Sequence, residues 1–212
     1  LVHDRTSVYA SAGRSFRPNT GADESGRAFD PQEGKAFELG AKWQSADQRL
    51  NGSVALFDIR KTNVLTRSPT NANYNVAAGE VRSRGLEADL AGQIDAHWRM
   101  TANLAYTDAE VVRDNNPALL GKRLLNVPRV SAGLFAIRED RLASGGRWGV
   151  GAGLVHVGER TGTATDTYRL PAYTTARLTS YWQIDKRTRL TLDVHNLFDK
   201  TYYSTVGYAG YG

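Results

Sequence analysis

Apolar and polar residues alternate one for one along most of this chain, and a period of two leaves little room for anything but half-buried β-strand. Over 35–44, Phe37, Leu39, Ala41 and Trp43 fall on one face, and Glu38, Gly40, Lys42 and Gln44 on the other. The pattern repeats over 49–58, 84–94 and 98–106, and continues more weakly over 129–137, 148–156, 172–184 and 189–195. With an earlier run over 7–16 this predicts about nine strands, and helical periodicity is hard to find anywhere.

The connections alternate as well. Short ones at 45–48, 95–97, 139–146 and 185–188 alternate with long, Gly/Asn/Pro-rich ones at 17–33, 62–79, 111–127, 158–170 and from 200 onward. Tight hairpins at one end and long loops at the other describe an up-and-down antiparallel meander. Soluble sandwiches break such alternation with Greek-key crossovers, whereas transmembrane β-barrels of the outer-membrane kind keep it.

The tryptophans test this reading independently. Trp43, Trp98, Trp148 and Trp182 all fall beside short turns and on the apolar face of their strands. An aromatic belt at a membrane interface predicts that clustering, because an indole is amphipathic and suits the headgroup level. Four ordinary core tryptophans would scatter along their strands. On the opposite parity, Glu38, Lys42, Glu87, Asp89, Arg99, Asn103, Arg177 and Asp193 are expected to line a wide, wet lumen. Gly149, Gly151 and Gly153 also share one strand face, which reads either as a wall against which another element lies or as a bend or bulge.

Composition alone would mislead. The chain has 212 residues, with 27 Lys+Arg against 22 Asp+Glu, a net charge of +5 and no cysteine. Its mean hydropathy is −0.46 and no stretch approaches the length of an apolar transmembrane helix, which on hydropathy averaging describes a soluble basic protein. Strand alternation explains the same value, since every second strand residue faces water. Zero cysteine excludes disulfide frameworks, thiol catalysis and cysteine-ligated zinc. His3, His97, His156 and His195 show no metal-binding spacing, and neither a phosphate loop, a dinucleotide fingerprint nor a nucleophile elbow occurs. The Lys and Arg residues are dispersed without interleaved stacking aromatics, so nucleic acid is not an expected partner.

Four segments in order then resemble one family. The stretch 193–203, Asp-Val-His-Asn-Leu-Phe-Asp-Lys-Thr-Tyr-Tyr, is similar to the N-N-L-F-D-K-x-Y motif near the C-terminus of TonB-dependent outer-membrane receptors, with His195 where the first Asn is usual. The segments 8–18, 30–42 and 79–87 resemble the family's Y-A-S-x-S-x-G-F-R-P, L-x-P-E-x-x-x-x-x-E-x-G-x-K and G-x-x-x-S-x-G-x-E motifs, and 124–129 and 170–173 also match in order. The siderophore-receptor subgroup fits best.

The resemblance implies an all-β, antiparallel up-and-down transmembrane barrel in the bacterial outer membrane, of which this chain holds about nine of the C-terminal strands out of 22. Residues 1–212 would then be a C-terminal portion of the barrel, without the plug domain, its TonB box or the final strand. The implied function is active uptake of a ferric siderophore, energised by the TonB complex acting through the missing plug, with outer-membrane lipid as a further partner. Neither enzymatic activity nor a resident cofactor is expected; the iron chelate is substrate. Ligand contacts are expected among the long loops, with Tyr74, Arg160, Tyr168, Tyr208 and Tyr211 as aromatic and cationic candidates. In the family motif Asn196, Leu197, Phe198, Asp199, Lys200 and Tyr202, Asn196 and Asp199 are expected to shape the strand end. Two rivals remain at this point: a passive porin, and an outer-membrane hydrolase using His156 with Asp166.

Overall fold

The computed structural model describes residues 5–71, 73–143 and 145–206. Nine long strands follow one another around a single antiparallel sheet: β1 (Thr6–Arg17), β2 (Gln32–Gln44), β3 (Leu50–Arg67), β4 (Asn75–Gln93), β5 (Trp98–Arg113), β6 (Val130–Arg141), β7 (Arg147–Val157), β10 (Tyr173–Gln183) and β11 (Arg189–Val194). Each pairs with its sequence neighbour, so the predicted meander is present without a crossover. A two-residue ribbon, β8 (Arg160–Thr161) with β9 (Arg169–Leu170), rises from the loop between β7 and β10, and a short 3-10 turn (Pro117–Leu119) sits in the loop between β5 and β6. Neither was visible as a repeat in the sequence. Both are too short for any periodicity to register.

The pairing register sorts the side chains onto two faces. Leu39 opposes Ala10 and Leu56, Leu56 opposes Leu86, Leu86 opposes Tyr106, and Leu134 opposes Ala102 and Leu154, which makes one face a continuous apolar band. Much of it is bare: Phe37 is 63% exposed, Leu56 53% and Leu192 61%. Water would penalise such a patch by about 25 cal/mol for each Å² of apolar surface, whereas hydrocarbon does not. No helix is long and apolar enough to cross a membrane. A single curved sheet of this kind has lipid in place of half its core, and among the described residues the buried apolar side chains reduce to Ala109, Ile137, Leu170 and Ala176.

Three strands run well beyond their predicted ends. β3 continues from Asp58 to Arg67, β4 begins at Asn75 rather than Arg84, and β5 reaches Arg113. These extensions have water on both faces, so nothing selects an apolar–polar alternation there and the period of two vanishes while the backbone ladder goes on. The ladder is also dislocated here, with register shifts around Val64 and between Glu80 and Val81. Asn63 adopts φ 56° at the first shift and donates from its side chain to the carbonyl of Pro31, 2.9 Å away, while its own carbonyl accepts from Asn19. A second, opposite shift between Val64 and Leu65 brings β3 and β4 back to their original register, so the irregularity interrupts the alternation locally.

Three of the four short turns are built alike. Asp95 accepts from the backbone N–H groups of His97 and Trp98, both at 2.8 Å, and Asp185 from those of Arg187 and Thr188 at 2.7 and 2.8 Å. Asp47 accepts from the Ser45 hydroxyl at 2.5 Å and the Arg49 N–H at 3.2 Å. Hydrogen bonds to the charged form hold all three carboxyls below the usual aspartate value, so these turns keep their clamps throughout the neutral range.

The glycine stripe of β7 resolves differently from either sequence reading. β7 pairs without a register shift on both sides, so there is no bulge. A Cβ on Gly151 would lie 3.0 Å from the Phe135 ring and one on Gly153 2.9 Å from Arg177, while Tyr181 leans over Gly149. Large side chains of the neighbouring strands lie across the bare backbone and fill the space that side chains of β7 would need.

Candidate functional site on the inner wall and outer rim

The face opposite the apolar band is a polar wall, and several of its charged groups are engaged within it. Tyr9 donates to Glu38 at 2.6 Å, and the Lys42 ammonium stands 5.1 Å from the centre of the Tyr9 ring. Arg99 pairs with Glu139 at 2.6 Å, Tyr181 donates to the same carboxylate, and Arg189 stacks 3.8 Å from the Tyr181 ring. Arg177 lies over Phe135 at 4.5 Å, and Thr179 donates to Asp193. All eight residues predicted for the lumen share this face. Such a wall is wettable, and each of these cations is held against a carboxylate or an aromatic ring.

The rim is formed where the long loops meet. Tyr74 closes the β3–β4 hairpin: its carbonyl accepts from the Ser68 N–H at 2.9 Å, and the residue is 40% exposed. Tyr168 is 50% exposed and lies against Gly162, whose N–H donates to the Tyr168 carbonyl at 2.7 Å. Both remain free to meet a ligand. Arg160 does not: it is 3% exposed, and its guanidinium donates to the carbonyls of Tyr203, at 2.6 Å, and Ser204. Its place is inside the loop cluster, where its charge holds backbone. Tyr208 and Tyr211 lie outside the described residues.

The C-terminal motif turns out to be a strand terminator. Asn196 and Asp199 adopt φ 49° and 48°, a left-handed conformation that Asn and Asp tolerate better than other non-glycine residues. The Asn196 side chain closes a ring with Lys200, donating to its carbonyl and accepting from its N–H, both at 3.0 Å. Leu197 donates to Ala176 at 2.8 Å, keeping the turn attached to β10, and Tyr202 stacks on Tyr173 with ring centres 4.2 Å apart. Phe198 is left 77% exposed. Asn196→Ala loses both bonds and the left-handed preference, and should lower barrel stability by about 1–2 kcal/mol, read as a lower temperature of heat-induced gel-mobility shift.

The four tryptophans sit on the outward face at the short-turn ends of β2, β5, β7 and β10, with Trp148 and Trp182 directly opposite one another. The hydrolase pair is not assembled. His156 bonds the Thr174 hydroxyl at 2.9 Å and Asp166 accepts from Arg169 at 3.0 Å. His97 pairs with Asp140 at 2.6 Å in the short turns, and among the described residues no group of three His, Asp or Glu could hold a metal.

A nine-stranded meander with an apolar outer face, a polar inner face and decorated loops at one end has a counterpart among known proteins. Residues 1–197 match the family model described as TonB dependent receptor-like, beta-barrel. The chain belongs to the TonB-dependent receptor family. Its barrel strands are therefore those of a bacterial outer-membrane receptor. Among curated relatives, the metal-pseudopaline receptor CntO of Pseudomonas aeruginosa is 42% identical over 197 residues, covering 92% of this chain and 28% of that protein. The ferrichrome outer membrane transporter/phage receptor of Escherichia coli K12 is 28% identical over 217 residues, or 97% of this chain and 28% of its own length. The crystal structure of the siderophore receptor PiuA from Acinetobacter baumannii superimposes with a TM-score of 0.83 at 26% identity, over 96% of this chain and 31% of that one. The chain thus spans less than a third of the receptors it matches. These relatives are transport receptors, and neither the porin nor the hydrolase reading has a counterpart among them.

Two features of the TonB-dependent barrel escaped sequence reasoning. Asn126 and Tyr173 hold the rim loops together, yet a loop asparagine and a tyrosine at a strand start carry no signal of their own. Gly85 lies in the motif over 79–87, and its role depends on which residues face it across two strands.

Proposed function

We propose that this chain forms the C-terminal side of the barrel of an outer-membrane receptor for TonB-dependent uptake of a metal chelate. The observation that carries this reading is the 42% identity to a metal-pseudopaline receptor across 92% of the chain, against 28% to a ferrichrome transporter. Placed in the receptor, the polar wall lines the route through the barrel, and its wettable surface suits the passage of a hydrated solute. The exposed rings of Tyr74, Tyr168 and Tyr203 stand at the outer rim, where a flat, polar chelate would dock. The outward tryptophans take the role of a belt at the periplasmic interface of the membrane. A plug supplied by another part of the receptor couples the barrel to the TonB energising complex, as the family relationship implies.

Two substrate classes compete within this reading. A ferric siderophore is the cargo suited to the subgroup, and the higher identity to the pseudopaline receptor favours a metal–pseudopaline chelate. Growth of a strain lacking the receptor gene separates them. Supplied with a panel of chelates under metal limitation, it should lose growth on one class, and complementation should restore it. Unchanged growth and unchanged metal accumulation on every chelate would sink the transport reading.

A further inference from the structure

We infer that Arg160 is a latch that fastens three outer loops into one block: the β5–β6 loop, the β7–β10 loop with its β8–β9 ribbon, and the segment following β11. Its neighbours Thr161 and Leu170, which belong to the same ribbon, are 0% and 1% exposed, the deepest burial in a chain that otherwise has almost no core. The guanidinium crosses from the ribbon to the carbonyls of Tyr203 and Ser204. It also stands 5.4 Å from the centre of the Tyr173 ring, which in turn stacks on Tyr202.

The third loop joins through Asn126. The Asn126 side chain donates to the Val206 carbonyl at 3.1 Å and accepts from the Val206 N–H at 3.0 Å, imitating a strand partner. Its own N–H donates to the carbonyl of Thr161 at 3.1 Å, beside Arg160. Arg123, from the same loop, donates to the carbonyl of Glu159 at 3.2 Å. Residues separated by as many as 80 positions are thus joined in one cluster around the buried Arg160.

The chemistry of that point makes it a device that can open. Among the described residues no carboxylate pairs with Arg160, and its buried Nε has no hydrogen-bond partner. A buried cation held by carbonyl dipoles, an aromatic face and no counter-charge has given up hydration for incomplete compensation. Its hydrogen bonds are therefore needed together, and losing the two carbonyls leaves a charge that must return to water. The latch has two arrangements: closed, with 202–206 seated, or open, with that segment and the ribbon released as a pair. Tyr168 and Tyr203 ride on opposite sides of it, so their separation at the rim is set by the latch.

The test uses the full-length receptor in outer-membrane vesicles, with nitroxide labels on Ala164→Cys and Thr205→Cys, both exposed positions, and pulsed electron resonance to read their distance distribution. The parent should give a narrow distribution. Arg160→Met keeps the bulk and removes the donors, and should broaden it by about twofold or more, with the heat-modifiable barrel band unchanged. Should that variant fail to mature, Asn126→Ala combined with Tyr173→Leu attacks the latch from its other partners and carries the same expectation. A distribution as narrow as the parent's in whichever variant matures overturns the latch. The readout uses no chelate, so it stands or falls separately from the transport reading.

Discussion

Placing an arginine at Leu104 should prevent the barrel from maturing, while an arginine one residue on, at Ala105, should be tolerated. Leu104 lies on the outward face between Ala88 and Ala132, and is 46% exposed in a sheet whose only remaining solvent there is hydrocarbon. A guanidinium on the lipid face costs about 2–4 kcal/mol near the middle of the membrane, and the cost falls off toward the interfaces. Ala105 points the other way, with Glu87 and Ser131 directly opposite, so a cation there meets water and a carboxylate. The pair is read by the amount of heat-modifiable receptor in outer-membrane fractions. Leu104→Arg should reduce it severely and Ala105→Arg should leave it near the parent level. Equal yields from the two variants would mean that the faces have been assigned wrongly, and with them the membrane reading.

That contrast between adjacent residues also marks how far the sequence could be read. Between Trp98 and Tyr106 one face meets lipid and the other water, two solvents that select opposite side chains, so alternation is strict and parity alone assigns each residue. Past Asp58 on β3 and before Arg84 on β4 both faces meet water. Selection for alternation stops there, so the last six residues of β3, 62–67, carry no strand pattern although the strand remains paired with β4 through a dislocated ladder. The irregularity at Asn63 hides the continuation further by interrupting the pattern.

At the rim the difficulty is of another kind. Arg160 has the composition of a ligand contact, a cation in a long loop, and only tertiary structure reveals that its donors are consumed by Tyr203 and Ser204. The motif around Asn196 was legible as a strand end because Asn and Asp at fixed spacing carry their own turn chemistry. No local rule pairs Asn126 with Val206, which lies 80 residues on. Parity could be read wherever a solvent imposed it, and long-range partners could not.

The second large effect is expected at Gly85, where a single methyl group should be enough to dislocate the sheet. Gly85 sits on the inner face of β4, opposite Phe57 of β3 and Thr107 of β5. A Cβ built there would run into the carbonyl oxygen of Tyr106 and lie 2.8 Å from the Phe57 ring. The ring could rotate away, but the carbonyl belongs to the β4–β5 ladder and can move only if the pairing moves. Overpacking of this kind costs about 1–3 kcal/mol where side chains absorb it, and more where backbone must. Gly52→Ala is the control, because its Cβ would meet the Trp43 ring at 3.3 Å and the Asp89 carbonyl at 3.5 Å, distances that a small ring shift relieves. Gly85→Ala should lower the midpoint of urea unfolding in detergent or lipid clearly below that of Gly52→Ala. Trimming the ring with Phe57→Leu should not restore it, because the obstacle that remains is backbone. A Gly85→Ala barrel as stable as Gly52→Ala, or one rescued by Phe57→Leu, would show that the glycine of this motif makes room for a side chain and not for the neighbouring strand.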